Sequence, residues 1–270
     1  MHELRIFKVR IMIVYPCAKI NIGLKVIGKR PDGYHDLETF FFPVGMTDIL
    51  EVVEAEETTL SVYGNELDCR MEDNLCFKAY NLLKKEFDLP PVEIHLLKRI
   101  PSGAGLGGGS SDASNMLIAL NKLFNLEIDK ERLCTYASLL GSDCPFFIHA
   151  SYLDAKKGEG MYGEGKGEIL TPMTIPELAG ISVKVEVPDI FVSTAEAYAG
   201  VNPQKGSETL KETLSRPIDE WKSVVKNDFE GHIFKKHPIL DAKKQEFYKK
   251  GAVYASMSGS GSAIYGLFRD

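Results

Sequence analysis

At 270 residues, 44% hydrophobic and 26% charged, the chain has the composition of a soluble globular protein, long enough for one large domain or two modest ones. A net charge of −6 argues against a general nucleic-acid binder, and no apolar run approaches the ~18 residues that would span a bilayer. Five cysteines, odd in number and without a Cys-x-x-Cys pair, read as reduced, packed thiols of a cytoplasmic protein.

The opening Met-His-Glu-Leu-Arg-Ile-Phe-Lys-Val-Arg is too charged for a secretory signal. Met12 offers an alternative start, which would leave residues 1–11 as an extra strand or a dispensable extension. From Ile20 to Val26 apolar and polar residues alternate as in a half-buried strand. Lys19 and Asn21 share the face opposite Ile20 and Ile22, which on composition alone is the wet side. Pro31-Asp-Gly-Tyr-His-Asp is a turn presenting Tyr34 and His35. Phe40–Val44, Asp48–Val53 and Leu60–Tyr63 read as strands, with an acidic turn at 54–59. Asp73 then stands as the N-cap of an amphipathic helix over Cys76–Phe87.

The alternating strand from Val92 ends in Lys98 and Arg99, cations able to neutralise a neighbouring anion. Pro101-Ser-Gly-Ala-Gly-Leu-Gly-Gly-Gly-Ser-Ser-Asp-Ala follows, with glycine at 103, 105, 107, 108 and 109, and helical spacing runs from Ser114 to Leu126. Strand, glycine loop and helix N-terminus in that order make an anion cradle, where free amides and the helix dipole meet a phosphate and Ser110 and Ser111 add hydroxyls. No Gly-Lys-Ser/Thr ending makes it a P-loop. Gly103-x-Gly105-x-x-Gly108 matches the dinucleotide fingerprint, but Pro101 and Ser102 part it from the strand and a hundred residues precede it, which disfavours an oxidoreductase.

Downstream, a helix over Asp129–Leu140 stops at Gly141, and Asp143 reads first as a helix N-cap or turn residue, with Cys144 beside it carrying no assigned role. Residues 158–168 hold so many glycines that they predict a flexible loop at a domain junction. A strand over Ile181–Val187 precedes a segment leading into a helix at Tyr198, and helices are expected over 210–227 and 238–250. Met257-Ser-Gly-Ser-Gly-Ser-Ala forms a second glycine-serine loop before a closing strand.

Four of these stretches carry a resemblance. The loop at 101–109 resembles the phosphate loop of the GHMP small-molecule kinases, and 257–263 their third motif. Ala-Lys-x-Asn-x-x-Leu-x-Val-x-Gly-x-Arg-x-Asp-Gly-Tyr-His at 18–35 and Gly-Ser-Asp-Cys-Pro-Phe-Phe at 141–147 resemble the signatures of one branch, the 4-diphosphocytidyl-2-C-methyl-D-erythritol kinases of non-mevalonate isoprenoid synthesis. The resemblance covers the chain after residue 12. It implies an α+β, two-domain GHMP-kinase fold, with a ribosomal protein S5 domain 2-like N-terminal domain over 1–155 and a ferredoxin-like α+β C-terminal domain over 156–270.

It further implies transfer of the ATP γ-phosphoryl group to a hydroxyl of the cytidine diphosphate substrate. Asp143 would be the catalytic base, with Lys19 pairing with it. Asn74 is implied at the adenine, and Lys98, Pro101, Gly103, Gly105, Leu106, Gly107, Gly108, Gly109, Ser110 and Ser111 around the phosphates. Mg2+ would enter with the nucleotide, with Ser111 expected over Asp112 as its protein ligand. Asn21, Tyr34, His35, Thr194 and Tyr198 are implied at the substrate, Thr194 near the reacting hydroxyl and Tyr34 and Tyr198 on the two faces of the cytosine. A small-molecule substrate is the expected partner, without nucleic acid or membrane, for a monomer or homodimer. The alternatives are a GHMP kinase acting on homoserine, mevalonate or a sugar, which gives no reason for Asp-Gly-Tyr-His, and a non-catalytic binding protein, which gives none for the Lys19 and Asp143 pair.

Overall fold

The computed structural model describes residues 10–65, 69–203 and 208–269, so residues 1–9 of the expected N-terminal extension lie outside the described residues. The N-terminal half runs β1 (Ile11–Val14), β2 (Cys17–Lys29), β3 (His35–Thr47), β4 (Ile49–Glu54), β5 (Thr59–Gly64), α1 (Leu75–Phe87), β6 (Val92–Lys98), α2 (Gly108–Leu123), α3 (Lys130–Ser138) and α4 (Cys144–Ala150). It continues through β7 (Glu159–Glu164), β8 (Ile169–Thr174), β9 (Ile181–Glu186), α5 (Thr194–Ala199), α6 (Leu210–Leu214), α7 (Trp221–Val224), α8 (Glu230–Lys236), α9 (Pro238–Lys249), β10 (Tyr254–Met257) and β11 (Ile264–Arg269).

These strands form three sheets, in the orders β1-β4-β6-β5, β2-β3-β7-β8 and β10-β11-β9. Only β5 against β6 is parallel among the paired strands described. The first sheet turns Leu50, Val52, Ile94 and Leu96 onto Ala79 and Leu83 of α1 and Met116 and Leu120 of α2. Each of these Leu, Val, Ile and Met side chains contributes about 1.5–3 kcal/mol on full burial. The third sheet is backed by α8 and α9 through Ile233, Leu240 and Phe247. The result is an α+β arrangement, helices segregated onto sheet faces. Among the described residues no helix is long and apolar enough to cross a membrane.

Four sequence expectations change. Strand β2 is not half-buried: Ala18 to Leu24 are all buried, because the face carrying Lys19 and Asn21 is roofed by other elements instead of water. The glycine-rich run after Gly158 is not a flexible loop but β7, hydrogen-bonded to β3 and β8. Its glycines are required by close packing: a Cβ at Gly160 would come within 2.4 Å of the Phe40 ring, and one at Gly163 within 2.6 Å of the Phe41 ring. Since β2 and β3 share a sheet with β7 and β8, pairing runs across residue 155. The helix placed at 114 begins at Gly108, since glycine and serine cost little in a first turn whose amides stay free, and buried Ala113, Met116 and Leu117 hold the rest. Lastly, the 210–227 segment is broken into α6 and α7 around Pro217.

Candidate active site

Lys19 and Asn21 lie two apart on β2 and face the same way, and Lys19 Nζ donates to Asn21 Oδ1 at 2.5 Å. Asn21 donates in turn to Thr39 Oγ1 at 2.9 Å, and that hydroxyl to the Gly23 carbonyl at 2.7 Å. The amide oxygen is thereby aimed at the ammonium. Lys19 Nζ also lies 5.3 Å from the centre of the Phe41 ring. Burial pulls the Lys19 ammonium below its ordinary value, and the charge of Asp143 opposes that pull.

The glycine loop meets this strand directly. The Lys19 amide donates to the Leu106 carbonyl at 3.0 Å. Gly107, at φ +71°, is the N-cap of α2, and a Cβ there would stand 2.7 Å from the Phe147 ring and 3.3 Å from Lys19 Cε. Gly105, at φ +78°, faces the second glycine-serine loop, where a Cβ would strike the Ser258 carbonyl at 2.1 Å. Ser258 Oγ donates to the Gly105 carbonyl at 2.9 Å, so the two loops meet. Gly108, Gly109 and Ser110 open a helix of 16 residues with their amides free of helical partners, the geometry on which the expected anion cradle depends.

Asp143 occupies the N-cap position of α4, but its side chain makes no capping hydrogen bond. Its Oδ2 lies 3.6 Å from Lys19 Nζ, an ion-pair distance, and the side chain keeps 34% exposure. Ser114 Oγ of α2 donates to the Cys144 carbonyl at 2.8 Å and fixes α4 against the cradle. Burial pushes the Cys144 thiol up to about 11, leaving it unreactive at neutral pH. The five cysteines are all free.

A cavity of about 520 Å³ joins these parts, lined by Lys19, Asn21, Gly103, Gly105, Gly107, Ser110 and Asp143 and also by Thr194 and Tyr198. A second cavity, of about 690 Å³, adjoins it and shares Ser142, Lys166, Thr194 and Tyr198. Tyr34 and His35 line the second one. His35 stacks on Tyr198 with ring centres 4.7 Å apart, and Phe229 packs edge-on at 4.8 Å. Tyr34 and Tyr198 therefore share a cavity, while the ring lying flat on Tyr198 is His35. Burial first, then the Asp143 charge, raises the Tyr198 hydroxyl above its ordinary value.

Three expected nucleotide residues sit differently from their sequence reading. Lys98 is fully buried, and its ammonium is held between Asp48 Oδ2 and Asp112 Oδ2, the latter at 2.6 Å. Its charge is thus matched inside the protein, beneath the first turn of α2. Asn74, rather than Asp73, caps α1: its Oδ1 accepts from the Cys76 amide at 2.9 Å, while Asp73 pairs with Arg70. Asn74 and Lys98 line a small separate cavity of about 140 Å³ with Ser102 and Gly109. Ser111 is fully buried, so the hydroxyl that reaches the main cavity is that of Ser110.

Sequence reasoning missed Asp48. Its carboxylate accepts from Lys98 and from the Arg99 and Ile100 amides (2.5 and 2.8 Å), the backbone that leads into the glycine loop. No local signal marks it, since all three donors come from residues 98–100, far away in sequence. Lys166, Phe191 and Thr39 were also missed, although each lines the main cavity.

Residues 74–151 match the GHMP kinases N terminal domain and residues 210–270 the GHMP kinases C terminal domain. A Bacteroides thetaiotaomicron protein named 4-diphosphocytidyl-2-C-methyl-D-erythritol kinase is 49% identical over 95% of this chain and 92% of its own length. A protein of the same name from Porphyromonas gingivalis is 45% identical over 96% of this chain and 93% of its own. A crystal structure of 4-(cytidine 5'-diphospho)-2C-methyl-D-erythritol kinase superposes with a TM-score of 0.78 at 34% identity, over 95% of this chain and 90% of that one. Mevalonate kinase of Methanococcus jannaschii shares the fold alone, at 14% identity and a TM-score of 0.67.

Proposed function

The chain belongs to the 4-diphosphocytidyl-2-C-methyl-D-erythritol kinases of the GHMP family, and from that premise we propose that it transfers the γ-phosphoryl group of ATP to the 2-hydroxyl of 4-diphosphocytidyl-2-C-methyl-D-erythritol. The products are the 2-phosphate and ADP, on the way to isoprenoid precursors. The observation that carries the reading is the apposition of Lys19 and Asp143 at 3.6 Å in a cavity walled by the glycine loop.

Phosphoryl transfer asks a protein mainly for in-line positioning and for compensation of charge on the moving oxygens. The amides at the start of α2, with its dipole, supply the compensation. Asp143 accepts the acceptor's hydroxyl proton while that oxygen forms its bond to γ-phosphorus, and the electron pair of the breaking bond leaves with ADP. Lys19, fixed by Asn21, holds the carboxylate toward the transfer path. Tyr198, Tyr34 and His35 take the cytidine end, where an aromatic face suits a base of any identity, and Thr194, which lines both cavities, lies toward the reacting hydroxyl.

Among the described residues no three acidic, histidine or cysteine side chains gather as a metal site. The donors near the cradle are the Ser110 hydroxyl and Asp112 Oδ1, a buried oxygen without a hydrogen-bond partner. That thin set fits Mg2+, which takes few protein ligands and is held largely by nucleotide phosphates and water. When bound it would neutralise charge on the β- and γ-phosphate oxygens.

A coupled assay of ADP release tests the reading. Turnover with the cytidine diphosphate substrate and none with mevalonate or homoserine is the expected result. Equal or better turnover with mevalonate or homoserine would assign the chain to another GHMP activity.

A further inference from the structure

We propose that Lys166 binds the diphosphate of the substrate, bridging the transfer centre and the cytidine pocket. This inference rests on the functional reading above and deepens it. The substrate carries two phosphates between its base and the hydroxyl to be phosphorylated. If the base lies by Tyr198 and His35 and the hydroxyl by Asp143, the diphosphate must cross the junction of the two cavities. Four residues line both cavities: Ser142, Lys166, Thr194 and Tyr198. Lys166 is the cation among them.

The other cations near this path are committed elsewhere. Lys19 is held by Asn21 and Asp143, and Arg30 pairs with Asp32 and Asp36. Among the described residues the Lys166 ammonium has no carboxylate within the 4.0 Å of an ion pair, although the charge of Asp32 acts on it from farther off and the Lys166 amide donates to Glu168 Oε2 at 2.5 Å. Its ammonium rests instead over the Tyr34 ring, 4.6 Å from the centre. A cation on an open aromatic face is held more weakly than one hydrogen-bonded to a phosphate, so an arriving diphosphate draws it away.

Local structure fixes where Lys166 stands. It occupies the tip of the β7–β8 hairpin between Gly165 and Gly167, which have φ of +66° and +101°. The Gly167 amide donates to the Glu164 carbonyl at 3.0 Å, and the Gly165 carbonyl accepts from the Leu37 amide at 2.7 Å, tying the turn to β3. The side chain is flexible, but its base is not.

The test compares Lys166→Met and Lys166→Arg with wild type, using CDP and cytidine as probes in calorimetry and the full substrate in steady state. Wild type should prefer CDP over cytidine, and Lys166→Met should lose about tenfold or more of that preference. Its KM for the cytidine substrate should rise by a similar factor while KM for ATP stays within about twofold, and Lys166→Arg should recover most of the loss. An unchanged CDP preference in Lys166→Met, or equal rises in both KM values, would overturn the inference while leaving the kinase reading intact. Absence of any turnover of the cytidine substrate by wild type would overturn both.

Discussion

Lys19 Nζ stands 3.6 Å from Asp143 Oδ2, and the two arrive there by separate routes. Lys19 comes up from a strand whose two faces are both buried, and Asp143 from the start of α4. The meeting depends on the glycine loop between them, since Gly107 has no side chain to separate Lys19 from Phe147 of α4. Burial pulls the Lys19 ammonium below its ordinary value, the charge of Asp143 opposes that pull, and the Asn21 oxygen accepts a hydrogen bond from it. The carboxylate, spared from capping its own helix, is left to face the cavity.

Glycines of the loop divide by what surrounds them. Gly105→Ala forces a side chain onto a positive φ and into the Ser258 carbonyl, so it should cost at least about 2 kcal/mol of stability by urea unfolding. Gly109 has only Leu75 Cδ1 at 3.7 Å, an ordinary contact. Gly109→Ala should therefore keep stability or gain about 0.5–1 kcal/mol, while KM for ATP rises because a methyl group stands at the cradle's entrance. Parallel loss of stability in both variants would contradict this division.

The buried Lys98, Asp48 and Asp112 group makes a second prediction. Lys98→Met leaves two carboxylates buried without their cation and should cost about 3–5 kcal/mol in urea unfolding. Loss below about 1 kcal/mol would show that the group contributes little.

Asp112 gives this group a pH signature. Burial pushes its carboxyl from an ordinary 3.8 up to about 7, with Lys98 opposing. Between those values the native state holds a proton that the unfolded chain has released, so this contribution to stability is complete below about pH 4 and is lost as pH rises through about 7. Asp112→Asn removes the dependence. The stability of wild type relative to this variant should shrink between pH 4 and 7 and stay level above. A difference constant across pH 4–8 would contradict the raised value.

Tyr198→Ala should weaken the cytidine substrate by about 1–3 kcal/mol in KM or Kd, with a much smaller change for ATP. Tyr198→Phe keeps the ring that packs on His35 and Phe229 and should stay near wild type. Equal losses for both substrates would instead mark Tyr198 as a packing residue.

The legible parts of the molecule were those set by neighbours in sequence. Alternation put Lys19 and Asn21 on one face, and glycine spacing marked the cradle. The pairing of Lys19 with Asp143 came from the resemblance, and other features that depend on a distant partner stayed hidden. Gly160 and Gly163 looked like loop glycines because Phe40 and Phe41, which require them, lie on another strand. Asp48 looked like an ordinary strand-edge acid because its three donors come from 98–100. Ser111 and Ser110 could not be told apart until the start of α2 set the helix phase that buries one and exposes the other. Asn74 and Asp73 were likewise interchangeable as caps until the helix start was fixed.

The most direct measurement is turnover and binding by Asp143→Asn, an isosteric change that removes the proton acceptor. The account predicts a fall in kcat of about a hundredfold or more, with Kd for the cytidine substrate and for ATP within about threefold of wild type. A variant that turns over at a rate comparable to wild type would leave the carboxylate without the role assigned to it.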